Sequence, residues 1–105
     1  MEEIRDKLKQ LLDLLRSGDE TFLSNQVEDA LAESDDNLRT YITSNELWGG
    51  AGSIADQALV ENRESRRKIE VVLAELGELQ IKAGIINTRT KSWTLAFRQW
   101  QKQGL

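Results

Sequence analysis

The chain has 105 residues, enough for one hydrophobic core and too few for two, so we expect a single helical domain over residues 1–105. Its 39% of apolar and 30% of charged residues exclude a disordered or membrane-embedded protein, and the absence of proline favours continuous helices. With a net charge of −4, no cysteine and no apolar leader, the sequence predicts a cytoplasmic protein without disulfide bonds.

The first part of the chain carries apolar residues at helical spacing. They predict one helix over residues 2–17, with Gly18 where a left-handed helix stop is expected, and a second helix from about residue 20 to residue 33. The core positions expected from these helices and the later ones are Leu12, Val27, Leu73, Leu76 and Phe97.

The third predicted helix begins in an acidic region. Ser34 is its expected N-cap, the two aspartates that follow suit the positive end of the helix dipole, and we expect the helix to end near Asn45. Residues 17–46 contain eight acids and one base, whereas the chain after Glu78 contains five bases and no acid. An acidic region of this kind repels nucleic acid and attracts basic partners.

This acidic region has three interpretations. The first is a recognition surface for a basic partner, and the second is a solvated helix face. In the third, its acids pair with the basic C-terminal part inside the fold. Recognition requires that the acids be exposed and gathered on one side of the molecule. The residues expected to contact the partner are Glu28, Asp29, Glu33, Asp35 and Asp36.

Three of the seven glycines lie together in the middle of the chain, within Leu47-Trp48-Gly49-Gly50-Ala51-Gly52-Ser53. We interpret this segment as a turn in which Trp48 fills the core, at least one glycine has a positive φ, and Ser53 caps the next helix. The alternatives are a partner-binding loop and an anion site at the helix start. The segment from Gly50 to Ala55 also matches a loosened dinucleotide fingerprint, but that fingerprint needs a preceding strand, and the preceding residues have helical spacing.

The longest apolar stripe runs from Ile69 to Ala83 and predicts a long helix. The eight residues before it, 61–68, have no apolar side chain, so we place a break near residues 61–64. The alternative is one long helix with an exposed middle, because the stripe keeps the same helical phase across this gap. Gly77 is expected to permit close packing, and Gly84 to stop the helix or to pack in the same way.

A last helix is predicted by Trp93, Phe97 and Trp100, which are spaced to share one helix face and to close the core. Thr90 or Ser92 is its expected cap. A dimer or partner surface is the alternative interpretation of this aromatic stripe. Helical segments joined by short connections predict an all-α fold, a compact bundle of four to six helices with no sheet.

Catalysis and metal binding have little support in the side chains. Without histidine or cysteine, the chain lacks the commonest general base, the commonest nucleophile and the soft metal ligands. Carboxylate pairs at Glu61/Glu64 and Glu75/Glu78 remain as possible Mg²⁺ ligands. Residues 2–6 loosely resemble the E-E-x-x-E of all-helical nucleotide pyrophosphohydrolases, but the second half of that pattern is missing. We predict no enzyme, no metal and no cofactor.

With its central aromatic-Gly-Gly-x-Gly-Ser element, the chain resembles a group of small bacterial helical proteins of uncharacterised function. In that group a leucine-rich N-terminal helix ending in glycine leads to the central element. Here these parts are Leu8 to Gly18 and Trp48 to Ser53. The resemblance implies no catalytic or binding residues. In size, helical class and charge the chain is also similar to bacterial toxin-immunity proteins.

The expected function is that of a non-enzymatic interaction module that binds a basic protein through the acidic region. An immunity-type neutraliser is one form of such a module. The first alternative is a helical domain that binds a small ligand or anion through the Gly49–Ser53 loop, and the second is a carboxylate-metal nucleotide hydrolase. The expected partner is a protein, with neither nucleic acid nor membrane involved. The chain itself is expected to be a monomer or a homodimer.

Overall fold

The computed structural model describes residues 1–18, 21–48, 63–87 and 89–103. These residues form six helices, namely α1 (Glu2–Ser17), α2 (Thr21–Leu31), α3 (Asp35–Ile42), α4 (Asn45–Trp48), α5 (Arg63–Ala83) and α6 (Thr90–Lys102). No strand occurs within the four ranges, and the predicted all-α bundle is confirmed. The helix start predicted at Ser53 lies outside the described residues, as do residues 61 and 62 of the predicted helix break.

The centre of the bundle is the pair α1 and α5. α1 packs against both α2 and α5, and α5 also packs against α6. Leu8, Leu11 and Leu15 of α1 are fully buried, because residues three and four positions apart share the helix face that meets the core. The sequence-predicted core positions are all buried, which confirms Leu12, Val27, Leu73, Leu76 and Phe97.

The ends of the first two helices differ in detail from the sequence expectation. Gly18 has a φ of −92°, so the predicted left-handed stop is wrong. Its backbone N–H bonds to the carbonyl of Leu14 at 3.1 Å, so the last turn of α1 stays regular and requires no left-handed residue. Within the described residues α2 spans Thr21–Leu31, and it ends two residues before the predicted end at residue 33.

The third helix confirms its predicted cap and ends earlier than predicted. The Ser34 hydroxyl accepts the backbone N–H of Asn37 at 3.3 Å, as an N-cap does. α3 ends at Ile42 and not near Asn45. The hydroxyls of Thr43 and Ser44 donate to carbonyls of the preceding turn, which satisfies the end of α3 locally and lets the chain start α4 in a new direction.

Two glycines shape the hairpin of α5 and α6. Gly84 has a φ of +75°, and the N–H of Ile85 bonds to the carbonyl of Gln80 at 2.9 Å, which is the Schellman stop of α5. Gly77 lies where α5 meets α6, and a Cβ there would overlap Oγ1 of Thr94. The expectations of a helix stop at Gly84 and of close packing at Gly77 are both confirmed.

The start of α6 is capped by a residue that the sequence interpretation did not select. Neither Thr90 nor Ser92 is the cap: Thr90 lies within the helix, fully buried. Asn87 Oδ1 accepts the backbone N–H groups of Arg89 and Thr90 at 2.8 and 3.0 Å. The Thr90 hydroxyl in return accepts the Asn87 N–H at 3.1 Å, so the two residues satisfy each other as in a capping box.

Candidate functional site

The five acids predicted to contact a partner are all exposed. Two lie on α2, one follows its C-terminus, and two form the first turn of α3. We call this set the acidic face, and its members are Glu28, Asp29, Glu33, Asp35 and Asp36.

Two members of the acidic face form ion pairs with α1. Arg16 pairs with Glu28, and Arg5 pairs with Asp35 at 2.8 Å. Arg5 also donates to the backbone carbonyls of Leu31 and Glu33, at 2.9 Å each, so one guanidinium holds the connection between α2 and α3. Among the described residues, none of these acids pairs with a base of the C-terminal part.

A groove of about 360 Å³ lies between α2 and α3. Asp29 and Glu33 line it on the acidic side, and within the part of the chain that the structure describes neither forms an ion pair. Glu33 accepts a hydrogen bond from the side-chain amide of Asn37 at 3.0 Å, which orients its carboxylate at the groove. The other residues that line the groove are Gln26, Ala30, Asn37, Thr40, Tyr41 and Ser44.

Trp48, the first residue of the predicted glycine loop, belongs to the core. It is fully buried, as predicted, and its indole N–H donates to Gln80 Oε1 at 2.9 Å. Gln80 Nε2 donates in turn to the carbonyls of Ile42 and Ile85, at 3.0 and 2.8 Å. One buried amide therefore joins the end of α3, the Trp48 side chain and the end of α5. The loop residues Gly49, Gly50, Gly52 and Ser53 lie outside the described residues, and with them the predicted positive φ.

Of the two carboxylate pairs considered as magnesium ligands, Glu75/Glu78 is engaged by bases, whereas Glu61 of the other pair lies outside the described residues. Glu75 pairs with Lys7 of α1 at 3.1 Å, and Glu78 pairs with Arg98 of α6. The hydrogen bond from Arg98 lowers the pKa of Glu78, and the same bond raises the pKa of Arg98. Within the described ranges, no three metal-ligating side chains come together. Glu75 and Glu78 thus link α5 to its two neighbours.

Glu70 is a buried acid that sequence reasoning missed. Only 2% of it is exposed, its Oε1 lies 3.7 Å from Arg66 Nε, and its Oε2 has no hydrogen-bond partner among the described residues. Burial raises its pKa, against the opposing charges of Arg66 and Arg67. The signal was available, because Glu70 precedes the core residues Leu73 and Ala74 by three and four positions and so shares their helix face.

Comparison with protein-family models, with curated proteins and with solved structures gave no match. None of the described helices is long and apolar enough to cross a membrane. The geometry of the described residues therefore carries the functional argument.

Proposed function

We propose that this protein is a non-enzymatic interaction module that binds a basic protein partner through the acidic face. The observation that carries the proposal is the groove between α2 and α3, where Asp29 and Glu33 are exposed, adjacent and without an ion pair within the described residues. Unpaired carboxylates beside a groove attract a lysine or arginine side chain, and the groove gives that side chain a defined position.

The support beneath the groove favours recognition over a merely solvated surface. Arg5 bonds to the carbonyls of Leu31 and Glu33 and to the Asp35 carboxylate, so α1 holds the corner between α2 and α3 in place. A rigid corner presents its charges in a fixed pattern, which lowers the conformational entropy lost on binding.

An immunity-type neutraliser is the form of this function that we favour. Such a module acts by covering its target and needs no chemistry of its own. Charge complementarity raises the rate at which the two proteins meet, and this rate depends on salt because exposed charges are screened over about 8 Å at physiological ionic strength.

The experiment compares two variants with the same change in net charge. Asp29→Lys/Glu33→Lys reverses the groove, whereas Asp13→Lys/Glu64→Lys reverses two exposed acids on α1 and α5. The native chain serves as bait to capture and identify the partner, and association rates of the purified pair are then measured at low and physiological salt.

We expect the groove variant to associate at least about tenfold more slowly than the native chain at low salt, with a smaller difference at physiological salt. The α1/α5 variant is expected to stay within about twofold of the native rate. A partner that binds both variants equally well would contradict the proposal.

A further inference from the structure

The outward face of α6 combines an exposed leucine with two exposed lysines. Leu95 is 61% exposed and lies four residues after Lys91 and seven before Lys102, so all three side chains share one helix face. Both lysines are exposed, and within the described residues neither forms an ion pair. This basic face, defined by Lys91, Leu95 and Lys102, has no acid of its own helix near it, since the chain carries none after Glu78.

The outward face of α2 has the same arrangement with the opposite charge. Phe22 is 72% exposed, and Asp29 follows it by seven residues, which places the two on one face of α2. Asp29 also lines the groove between α2 and α3, together with Glu33. The exposed aromatic ring of Phe22 thus lies about two turns before Asp29 on this face.

The two faces match in spacing as well as in charge. Seven residues separate Phe22 from Asp29 and Leu95 from Lys102, and in both helices this is about two turns, or roughly 10.5 Å along the axis. If α2 of one molecule lies parallel to α6 of another, the two apolar side chains meet at one level, and Asp29 lies opposite Lys102 about two turns further along. Two copies of α6 would oppose lysines, and two copies of α2 would oppose acids.

We propose that the basic face of α6 docks on the α2 side of a second copy of this chain. The interface joins two different faces, so each molecule can bind one neighbour on either side, and the assembly is a head-to-tail row or a closed ring. Because its charges are exposed, the association is weak and sensitive to salt. The groove acids also serve in the proposed function, so a basic partner would compete with the second copy.

The test uses the full chain and two reciprocal variants. Asp29→Lys/Glu33→Lys makes both faces basic, and Lys91→Glu/Lys102→Glu makes both faces acidic. Sedimentation velocity is measured from about 10 to 500 μM at low and high salt, a range suited to interfaces held by a few exposed contacts. Helical circular dichroism and melting temperature confirm that each variant folds.

The native chain is expected to associate as its concentration rises at low salt and to dissociate at high salt. Each variant alone is expected to associate at least about tenfold more weakly, whereas an equimolar mixture of the two regains association because their faces are again opposite in charge. Leu95→Ser should weaken association without changing any charge, and Asp13→Lys/Glu64→Lys should leave it unchanged.

Three outcomes would overturn the proposal: a native chain that stays monomeric at the highest concentration in low salt, single variants that associate as strongly as the native chain, or a mixture that does not regain association. The Lys91→Glu/Lys102→Glu variant separates this inference from the proposed function. It loses self-association and keeps the basic partner, whereas the groove variant loses both.

Discussion

In the α5–α6 hairpin, the amide side chains of Gln80 and Asn87 are engaged by the fold, whereas the acids of the α2–α3 corner are exposed to solvent. Gln80 makes three hydrogen bonds inside the protein, and Asn87 caps α6. At the corner, Asp29 and Glu33 remain without an ion pair among the described residues. Changes to the buried side chains of the hairpin should therefore affect folding, and changes to the exposed acids of the corner should affect binding.

The largest expected effect of a single substitution is the loss of a buried side chain in the hairpin. Leu76 is fully buried, so Leu76→Ala should lower the free energy of unfolding by about 2–4 kcal/mol through lost burial and the cavity that remains. Urea unfolding measures the change, with the exposed Leu95→Ala as control. An unchanged unfolding midpoint in Leu76→Ala would show that the stripe of α5 is not part of the core.

The close approach of α5 and α6 at Gly77 leads to the second-largest expected loss of stability. A Cβ at this position would overlap Thr94 Oγ1, so Gly77→Ala should destabilise by about 1–3 kcal/mol although alanine favours a helix. In a Thr94→Ala background the same substitution should cost less, because the overlapping oxygen is gone and only the Cβ of residue 94, at 3.1 Å from the added Cβ, remains close. An equal loss in both backgrounds, measured by a double-mutant cycle, would rule out this contact as the cause.

A smaller effect with a defined pH dependence is expected at Glu70. Burial raises its native-state pKa above the ordinary 4.5, so the native state holds the proton more tightly than the unfolded state. The contribution of Glu70 to the stability of the native state is therefore fully present below pH 4.5. It is lost as the pH rises through the native-state pKa of Glu70.

Glu70→Gln removes this titration. The variant should be more stable than the native chain at pH 7, by about 1 kcal/mol, and the difference should vanish near pH 4. Thermal unfolding across this pH range measures it. Glu64→Gln, at a largely exposed position of the same helix, is the matched control and should show no such dependence. A Glu70→Gln variant less stable than the native chain at pH 7 would mean that the pair with Arg66 outweighs burial.

The smallest expected effect on folding lies at the corner. Asp29→Lys/Glu33→Lys should change the free energy of unfolding by no more than about 0.5 kcal/mol, because both side chains are exposed and neither forms an ion pair within the described residues. The melting temperature of this variant provides the measurement. A large loss of stability would show that these acids help to stabilise the fold, and it would contradict the contrast between corner and hairpin.

Regular spacing in the sequence was sufficient for α1, α2, α3, α5, α6 and the core, but not for α4, whose single turn is too short to show a helical repeat. The cap at Ser34, the stop at Gly84 and the close packing at Gly77 also followed from local residue chemistry. The error at Gly18 arose because a glycine can end a helix without a positive φ, and the choice of the α6 cap depended on which nearby oxygen reaches the free N–H groups.

The candidate site was predicted only in outline. The sequence located the acidic face, but it could not show that Arg5 holds the corner from a helix about thirty residues earlier. The division of the acids into paired and unpaired members depends on tertiary distances, which a charge pattern does not contain. For the same reason, the matching faces of α2 and α6 emerged only when the exposed sides of both helices were known.

The bond between Trp48 and Gln80 makes one of the three tryptophans a natural reporter of the whole fold. Its indole proton is enclosed and hydrogen-bonded, whereas the rings of Trp93 and Trp100 are only partly buried. In nuclear magnetic resonance spectra, the Trp48 indole signal should therefore persist in heavy water far longer than the other two, since its exchange requires that α3, α5 and the tryptophan separate. The lifetime of that single proton would measure how often the bundle opens in the absence of any denaturant.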